Sequence, residues 1–200
     1  VYENKGLYAT QIALSVEDAK TGNPLLRFSP EQDSGYSPAI TLADFTGDGI
    51  LEIFFGADSG GRGGFGFYYV FSVMSGSAQA LFDFRSYPEN FSAAYANGYK
   101  VQVSGRNPER QYLIDISGRD ADYLSALYDE NGILRKPVAA DVSAVNTVLP
   151  FFANYGNRYN LLVMRRITGL YNADSLGYTQ EFLQFSNGSF TPYFTSVDIL

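Results

Sequence analysis

The run Phe65-Gly66-Phe67-Tyr68-Tyr69-Val70-Phe71-Ser72-Val73 is aromatic or β-branched along most of its length, and turn residues stand at both ends. Such side chains suit a pleated, half-buried surface, so this stretch reads as a strand. Similar runs recur along the whole chain. Ile12, Leu14 and Val16 alternate with polar or small residues, and Thr21-Gly22-Asn23-Pro24 then turns the chain into a second strand ending near Ser29. Residues 29–38 read as a loop, 40–45 and 50–57 as strands, and 78–84 as a strand pairing with 65–73. Residues 99–105 and 110–118 form a hairpin across Arg106-Asn107-Pro108-Glu109. After Asn146 the strands resume at 147–153, 159–166, 178–185 and 189–195. One helix is expected at 121–130, with Asp120 as its N-cap, Tyr123, Leu124, Leu127 and Tyr128 at helical spacing, and Asn131-Gly132 as its stop.

Composition removes whole classes of chemistry. The chain of 200 residues has no Cys and no His. That excludes disulfides, thiol nucleophiles and every catalytic triad that runs through imidazole. Any bound metal must be held by oxygen, which points to calcium, magnesium or manganese. The formal net charge is −7 and the basic residues do not cluster beyond Arg165-Arg166. Nucleic acid and anionic membranes need a basic footprint, so neither is an expected partner. No apolar stretch is long enough to span a bilayer as a helix.

The last third of the chain echoes the middle. Residues 42–56 align with 150–164 as strand, polar turn and apolar strand. A glycine-bearing connector and an aromatic strand follow in each. Degenerate repeats are therefore expected at about 38–84 and 146–195, within a single β-rich domain spanning 1–200. Repeats of this size suggest small antiparallel sheets in a propeller-like arrangement with one short helix. A β-sandwich or an α+β domain is the alternative.

The first repeat contains the most chemically loaded stretch, Asp44-Phe45-Thr46-Gly47-Asp48-Gly49-Ile50-Leu51-Glu52. Alternate residues of a tight loop converge, so Asp44, Thr46, Asp48, the Ile50 carbonyl and Glu52 could together offer the oxygen ligands that calcium takes. Gly47 and Gly49 let the backbone wrap. The other reading is a metal-free turn in which Asp44 and Asp48 hydrogen-bond their own backbone. An EF-hand is excluded, because Phe55 stands where that loop needs its last glutamate and both flanks read as strands.

The string D-x-T-G-D-G-x-x-E between two strands resembles the calcium-type loop of VCBS and FG-GAP repeats, which build β-propeller blades in integrin α-chains and in many exported bacterial proteins. The runs at 170–185 and 99–130 are similar to a group of VCBS-like bacterial proteins without an assigned activity. Carried over by position, the family's ligands fall on Asp44, Asp48, the Ile50 carbonyl and Glu52, while Thr46 departs from the usual Asp or Asn. The resemblance implies a secreted or cell-surface setting, an adhesive or scaffolding role, a structural calcium ion and no catalysis.

Other motifs carry less. Gly61-Arg62-Gly63-Gly64-Phe65-Gly66 matches a dinucleotide-binding string, but a strand follows it instead of a helix, so no helix N-terminus is present to hold a pyrophosphate. The carboxylates Asp83, Asp115, Asp120, Asp122, Asp174 and Glu181 show no spacing that selects a glycosidase pair. Tyr68, Tyr69, Tyr171 and Tyr178 occupy corresponding parts of the two repeats and are candidates for a ligand surface. The leading expectation is a non-catalytic exported binding or scaffold protein, with surface polysaccharide or protein as partner. A carboxylate-dependent polysaccharide-acting enzyme and a carbohydrate-binding module are the alternatives.

Overall fold

The computed structural model describes residues 8–61, 63–153 and 158–200. Among the described residues the protein is mainly β with one short α-helix. Where the sequence reads as one domain, the contacts group the residues into two compact units.

The first unit comprises 1–87, 145–163 and 183–191. Its main sheet is antiparallel in the order β1 (Tyr8–Ala9), β4 (Gly35–Ala43), β5 (Glu52–Asp58), β6 (Gly66–Ser72) and β7 (Gln79–Asp83). β5 and β6 pair with Phe55 opposite Tyr69 and Phe54 opposite Val70. Successive residues of a strand face opposite sides, so this register sends apolar side chains to both faces. On one face, Ile53, Phe55, Ala57, Tyr69 and Phe71 pack under the hairpin of β2 (Leu14–Glu17) and β3 (Pro24–Phe28) through Leu14, Val16 and Phe28. On the other, Phe54, Val70 and Phe82 meet Val148, Leu161, Val163, Leu183 and Phe190. These come from β12 (Thr147–Ala153), β13 (Arg158–Thr168), β14 (Ser175–Ser186) and β15 (Ser189–Ile199).

The second unit comprises 88–144, 164–182 and 192–200. It contains β8 (Phe91–Ala96), β9 (Lys100–Arg106), β10 (Glu109–Asp115), α1 (Ala121–Leu127) and β11 (Ala139–Val142), with the remaining parts of β13, β14 and β15. The strand order is β10-β9-β8-β11-β13-β14-β15. Its two ends meet: the Tyr112 hydroxyl on β10 donates to the Thr195 carbonyl on β15 at 2.8 Å and lies 2.7 Å from the Thr195 hydroxyl. The sheet is thus curled nearly into a barrel. Inside it pack Val101, Val103, Ile114, Ile167 and Leu176, together with Leu127 from α1. Gly177 on β14 is obligatory here, since a Cβ at that position would overlap the Asp198 carbonyl oxygen.

The expected strands and the hairpin at β9–β10 are present, and α1 begins after Asp120 as expected but stops at Leu127. Asp120 accepts a hydrogen bond from Tyr123 N at 2.8 Å. Each expected repeat traces four consecutive strands, β4 to β7 and β12 to β15. The polar turn expected within 150–164 falls at 154–157, which lie outside the described residues. The propeller expectation is corrected. Propeller blades are small sheets that cover one another's faces around an axis. Here the five-stranded sheet is covered by its own hairpin and by β12–β15, and the other sheet curls on itself. The sandwich alternative describes the layering of the first unit better.

Candidate functional site

The segment between Ala43 and Glu52 is a wide hairpin turn, and those two residues are paired across it. Its carboxylates point at its own backbone. Asp44 Oδ1 accepts from Gly47 N at 2.6 Å and Oδ2 from Gly49 N at 2.9 Å, while Asp48 Oδ1 accepts from Ile50 N at 2.8 Å. Glu52 is almost wholly buried, and its Oε2 accepts from Phe45 N at 2.8 Å and Thr46 N at 3.2 Å. The Thr46 hydroxyl lies 3.4 Å from Glu52 Oε1. Gly47 and Gly49 both sit at positive φ, which lets these amides turn inward. The Phe45 side chain anchors the turn in the core, and Asp44 O accepts from Tyr159 N at 2.7 Å. Among the described residues no three acidic side chains stand close enough to hold a metal ion. As arranged, the loop is a self-bonded turn.

Burial raises the Glu52 carboxyl above its ordinary value, with Asp48 and Asp44 adding to the effect and the Phe45 and Thr46 amides opposing it.

The four candidate tyrosines separate. Tyr68 is half-buried and stacks on Phe54 with ring centroids 6.3 Å apart. It lines a groove of about 340 Å³ with Ala39, Thr41, Gly56, Asp58 and Leu149. Gly56 allows the close approach, because a Cβ there would meet the Tyr68 ring at 3.3 Å. The Tyr68 hydroxyl donates to Asn146 O at 3.4 Å. Tyr69 is corrected as a surface residue. Its neighbour in sequence faces the groove, so the pleat turns Tyr69 to the opposite face, where it is 1% exposed and accepts from Gln32 N at 3.1 Å. In the second unit, Tyr171 is exposed in the turn between β13 and β14, and Tyr178 is half-buried on β14.

Two polar clusters of the second unit had no motif to announce them. Asp174 is 3% exposed. Its carboxylate accepts from Tyr123 Oη at 2.6 Å and Leu170 N at 2.9 Å, and it pairs with Arg119 at 3.3 Å. Tyr95 Oη lies 2.5 Å from Tyr123 Oη. Burial, then the Asp174 carboxylate and Tyr95, push the Tyr123 phenol well above the usual range. Gly169 is required beside them, as a Cβ would overlap Asp174 Oδ2 and the Tyr95 hydroxyl. The cluster ties α1 to the β13–β14 turn.

In the second cluster, Asn90 Nδ2 donates to Glu181 Oε1 at 2.6 Å. Arg165 Nε lies 3.9 Å from Glu181 Oε2, and its guanidinium donates to Pro88 O at 2.9 Å and Ser143 O at 3.3 Å. Arg165 and Glu181 are both fully buried. A sequence signal for this pair exists. Arg165 falls in phase with Val163 and Ile167, and Glu181 with Thr179 and Leu183, which are the inward positions of their strands.

The fold and its sites define a mainly β protein whose buried carboxylates are engaged in holding strands, turns and one helix in place. The residues 89–198 match the model of the YybI C-terminal domain. The uncharacterized protein YybI of Bacillus subtilis (strain 168) is 32% identical over 181 residues, covering 90% of this chain and 69% of that protein. The chain belongs to the YybI C-terminal domain family. No solved structure matches it. Kinship with VCBS and FG-GAP repeats is thereby corrected: it rested mainly on Asp44–Gly56, which lies outside the residues that the family model covers.

Glu52 generates a pH prediction. Its folded-state pKa is raised, so the folded chain holds a proton that the unfolded chain has released. Stability therefore falls as pH rises from the ordinary glutamate value through the folded one. Glu52→Gln keeps an acceptor for the two amides and should flatten that slope, raising the melting temperature at neutral pH relative to the unmodified chain; melts across acid to neutral pH check it. For the Asp174 cluster, Tyr123→Phe leaves a buried carboxylate short of a donor. It should cost about 1–3 kcal/mol in denaturant unfolding.

Proposed function

We propose that this chain is a non-catalytic binding or scaffold protein, exported or displayed at the cell surface, whose groove in the first unit takes an uncharged ligand such as a surface polysaccharide. The observation that carries the reading is the groove's lining. Phe54 and Tyr68 form an aromatic floor, Thr41 and Thr147 supply hydroxyls, and Asp58 is its single carboxylate. Carboxylate-dependent glycoside cleavage needs two such groups on either side of the bond, whereas aromatic rings with a few polar groups suit recognition. A second groove of the first unit shares Asp58, Tyr68 and Thr147 and adds Gly60, Gly61 and Gly64, so the lined surface continues to the glycine-rich turn. The net charge of −7 favours neutral ligands over anionic ones. No helix among the described residues is long and apolar enough to cross a membrane.

Retention on neutral and on anionic polysaccharides tests the proposal. The neutral polymer should bind without release of new reducing ends, and Asp58→Ala should weaken it about tenfold or more through loss of a charged acceptor. Binding to neither polymer, or binding that ignores Asp58, would overturn it.

Calcium belongs to this proposal as a structural ion at the 44–52 turn, where Asp44, Asp48 and Glu52 bring like charge together. Binding would require these carboxylates to turn from their amide donors toward a shared ion. The expected result is a melting temperature higher in calcium than in chelator, by about 2–4 °C per kcal/mol gained. Glu52→Gln should shrink the difference.

A further inference from the structure

The second unit has a groove of its own beside the C-terminal end of α1. It encloses about 390 Å³, and its lining includes Tyr99, Leu124, Tyr128, Asp129, Glu130 and Arg135. Hydrogen bonds between the β8–β9 turn and the segment after α1 fix its walls. Gly98 N donates to Gly132 O at 2.8 Å and Leu134 N to Asn97 Oδ1 at 3.0 Å, while the Tyr128 hydroxyl reaches Ala96 O at 3.1 Å. Tyr99 sits at φ 59°. Bulky residues rarely adopt that region, and only surrounding contacts keep them there. Gly132 makes the room, since a Cβ on it would come within 3.0 Å of the Tyr99 ring. The ring packs edge-on against Tyr128 with centroids 4.9 Å apart.

The charges of the groove have both signs and do not satisfy one another. Arg135 Nε donates to Ser125 O in the last turn of α1 at 3.1 Å, which steadies the guanidinium and leaves its two terminal nitrogens without a partner among the described residues. Asp129 commits Oδ1 to Asn131 N and Ile133 N, both at 2.9 Å, and keeps Oδ2. Glu130 is exposed and accepts no hydrogen bond among the described residues. Neither carboxylate is within ion-pair distance of Arg135.

We propose that this groove binds a small zwitterion, a free α-amino acid with a large apolar side chain. The Arg135 terminal nitrogens take its carboxylate in a charge-assisted pair. Asp129 Oδ2 and Glu130 take its ammonium, and Tyr99, Tyr128 and Leu124 take its side chain. An anion alone would meet two carboxylates there, and a cation alone would meet a guanidinium. A ligand carrying both signs neutralises the groove without setting like charges together. The groove's size falls in the range of small-molecule sites, about 300–1,000 Å³. The site lies wholly in the second unit and is independent of what the groove of the first unit binds.

Titration of the whole chain with L-phenylalanine, followed by amide chemical shifts, tests the proposal. Saturable shifts should centre on Tyr99, Ser125 and residues 128–135. Phenethylamine, which lacks the carboxylate, and 3-phenylpropionate, which lacks the amine, should each bind about tenfold or more weaker, as each forfeits one charge-assisted contact. The variants should divide the same way. Arg135→Met should weaken phenylalanine and 3-phenylpropionate and leave phenethylamine unchanged. Glu130→Gln should weaken phenylalanine and phenethylamine and leave 3-phenylpropionate unchanged. The Glu130 arm decides the matter alone if a melting curve shows that loss of the Arg135–Ser125 bond unfolds the chain. No saturable shift up to roughly 10 mM, beyond the millimolar range expected of a ligand this small, overturns the proposal. So does equal binding of phenylalanine and either analogue. Binding of the uncharged N-acetylphenylalanine amide as tight as that of phenylalanine overturns it too, since the groove then takes a peptide segment.

Discussion

Strands β5 and β6 are apolar on both faces, and the first unit is built around that fact. Ile53, Phe55, Tyr69 and Phe71 on one side and Phe54 and Val70 on the other cannot all be buried by a single covering layer. At roughly 1.5–3 kcal/mol for each large side chain removed from water, leaving either face open would cost a large share of a domain's net stability of about 5–15 kcal/mol. The β2–β3 hairpin closes one face, and the long strands after Val145 close the other. The same pleat decides which tyrosine meets solvent: Tyr68 borders the groove because Tyr69 is committed to the opposite core.

The 44–52 turn shows why a calcium-type string and a self-bonded turn draw on the same residues. A turn this wide exposes several amides that no strand can satisfy. Carboxylates at Asp44, Asp48 and Glu52 accept them, and glycines at positive φ aim them inward. The residue types needed to close such a turn are those that also ligate calcium. The string therefore carries information about local conformation and little about descent, and the family assignment comes from residues 89–198 instead.

What was legible in the sequence follows from this. Strands rich in Phe, Tyr and Val were readable because alternation and turn residues bracket them, and Asp120 announced α1 by its capping chemistry. β8 was not, because Phe91-Ser92-Ala93-Ala94-Tyr95-Ala96 carries small residues with weak strand preference. The start of β4 was read as loop, since Ser37 and Pro38 are turn formers that here make an irregularity inside a strand. The division into two units left no trace in composition: β13, β14 and β15 pass through both without a linker. Asp174 draws its side-chain partners from Arg119 and Tyr123. Contacts that distant in sequence have no periodicity to reveal them. Arg165 and Glu181 were the readable exception, being charges in phase with an apolar row.

Charge distribution separates the groove from the buried ion pairs. The second unit's buried ions occur in pairs, Arg165 with Glu181 and Asp174 with the partly exposed Arg119. A buried charge without its partner costs several kcal/mol, so these groups are bound to the fold and cannot serve a ligand without destabilising it. β4 is the opposite case. Its residues Ala39 and Thr41 line the groove, and Ile40 and Leu42 stand opposite Phe55 and Ile53 on the other face. Nothing in the core depends on them for charge compensation. The uncharged stretch 37–43 thus gives the groove a neutral wall on one strand of an acidic protein, while alternate residues of the same strand face the other side.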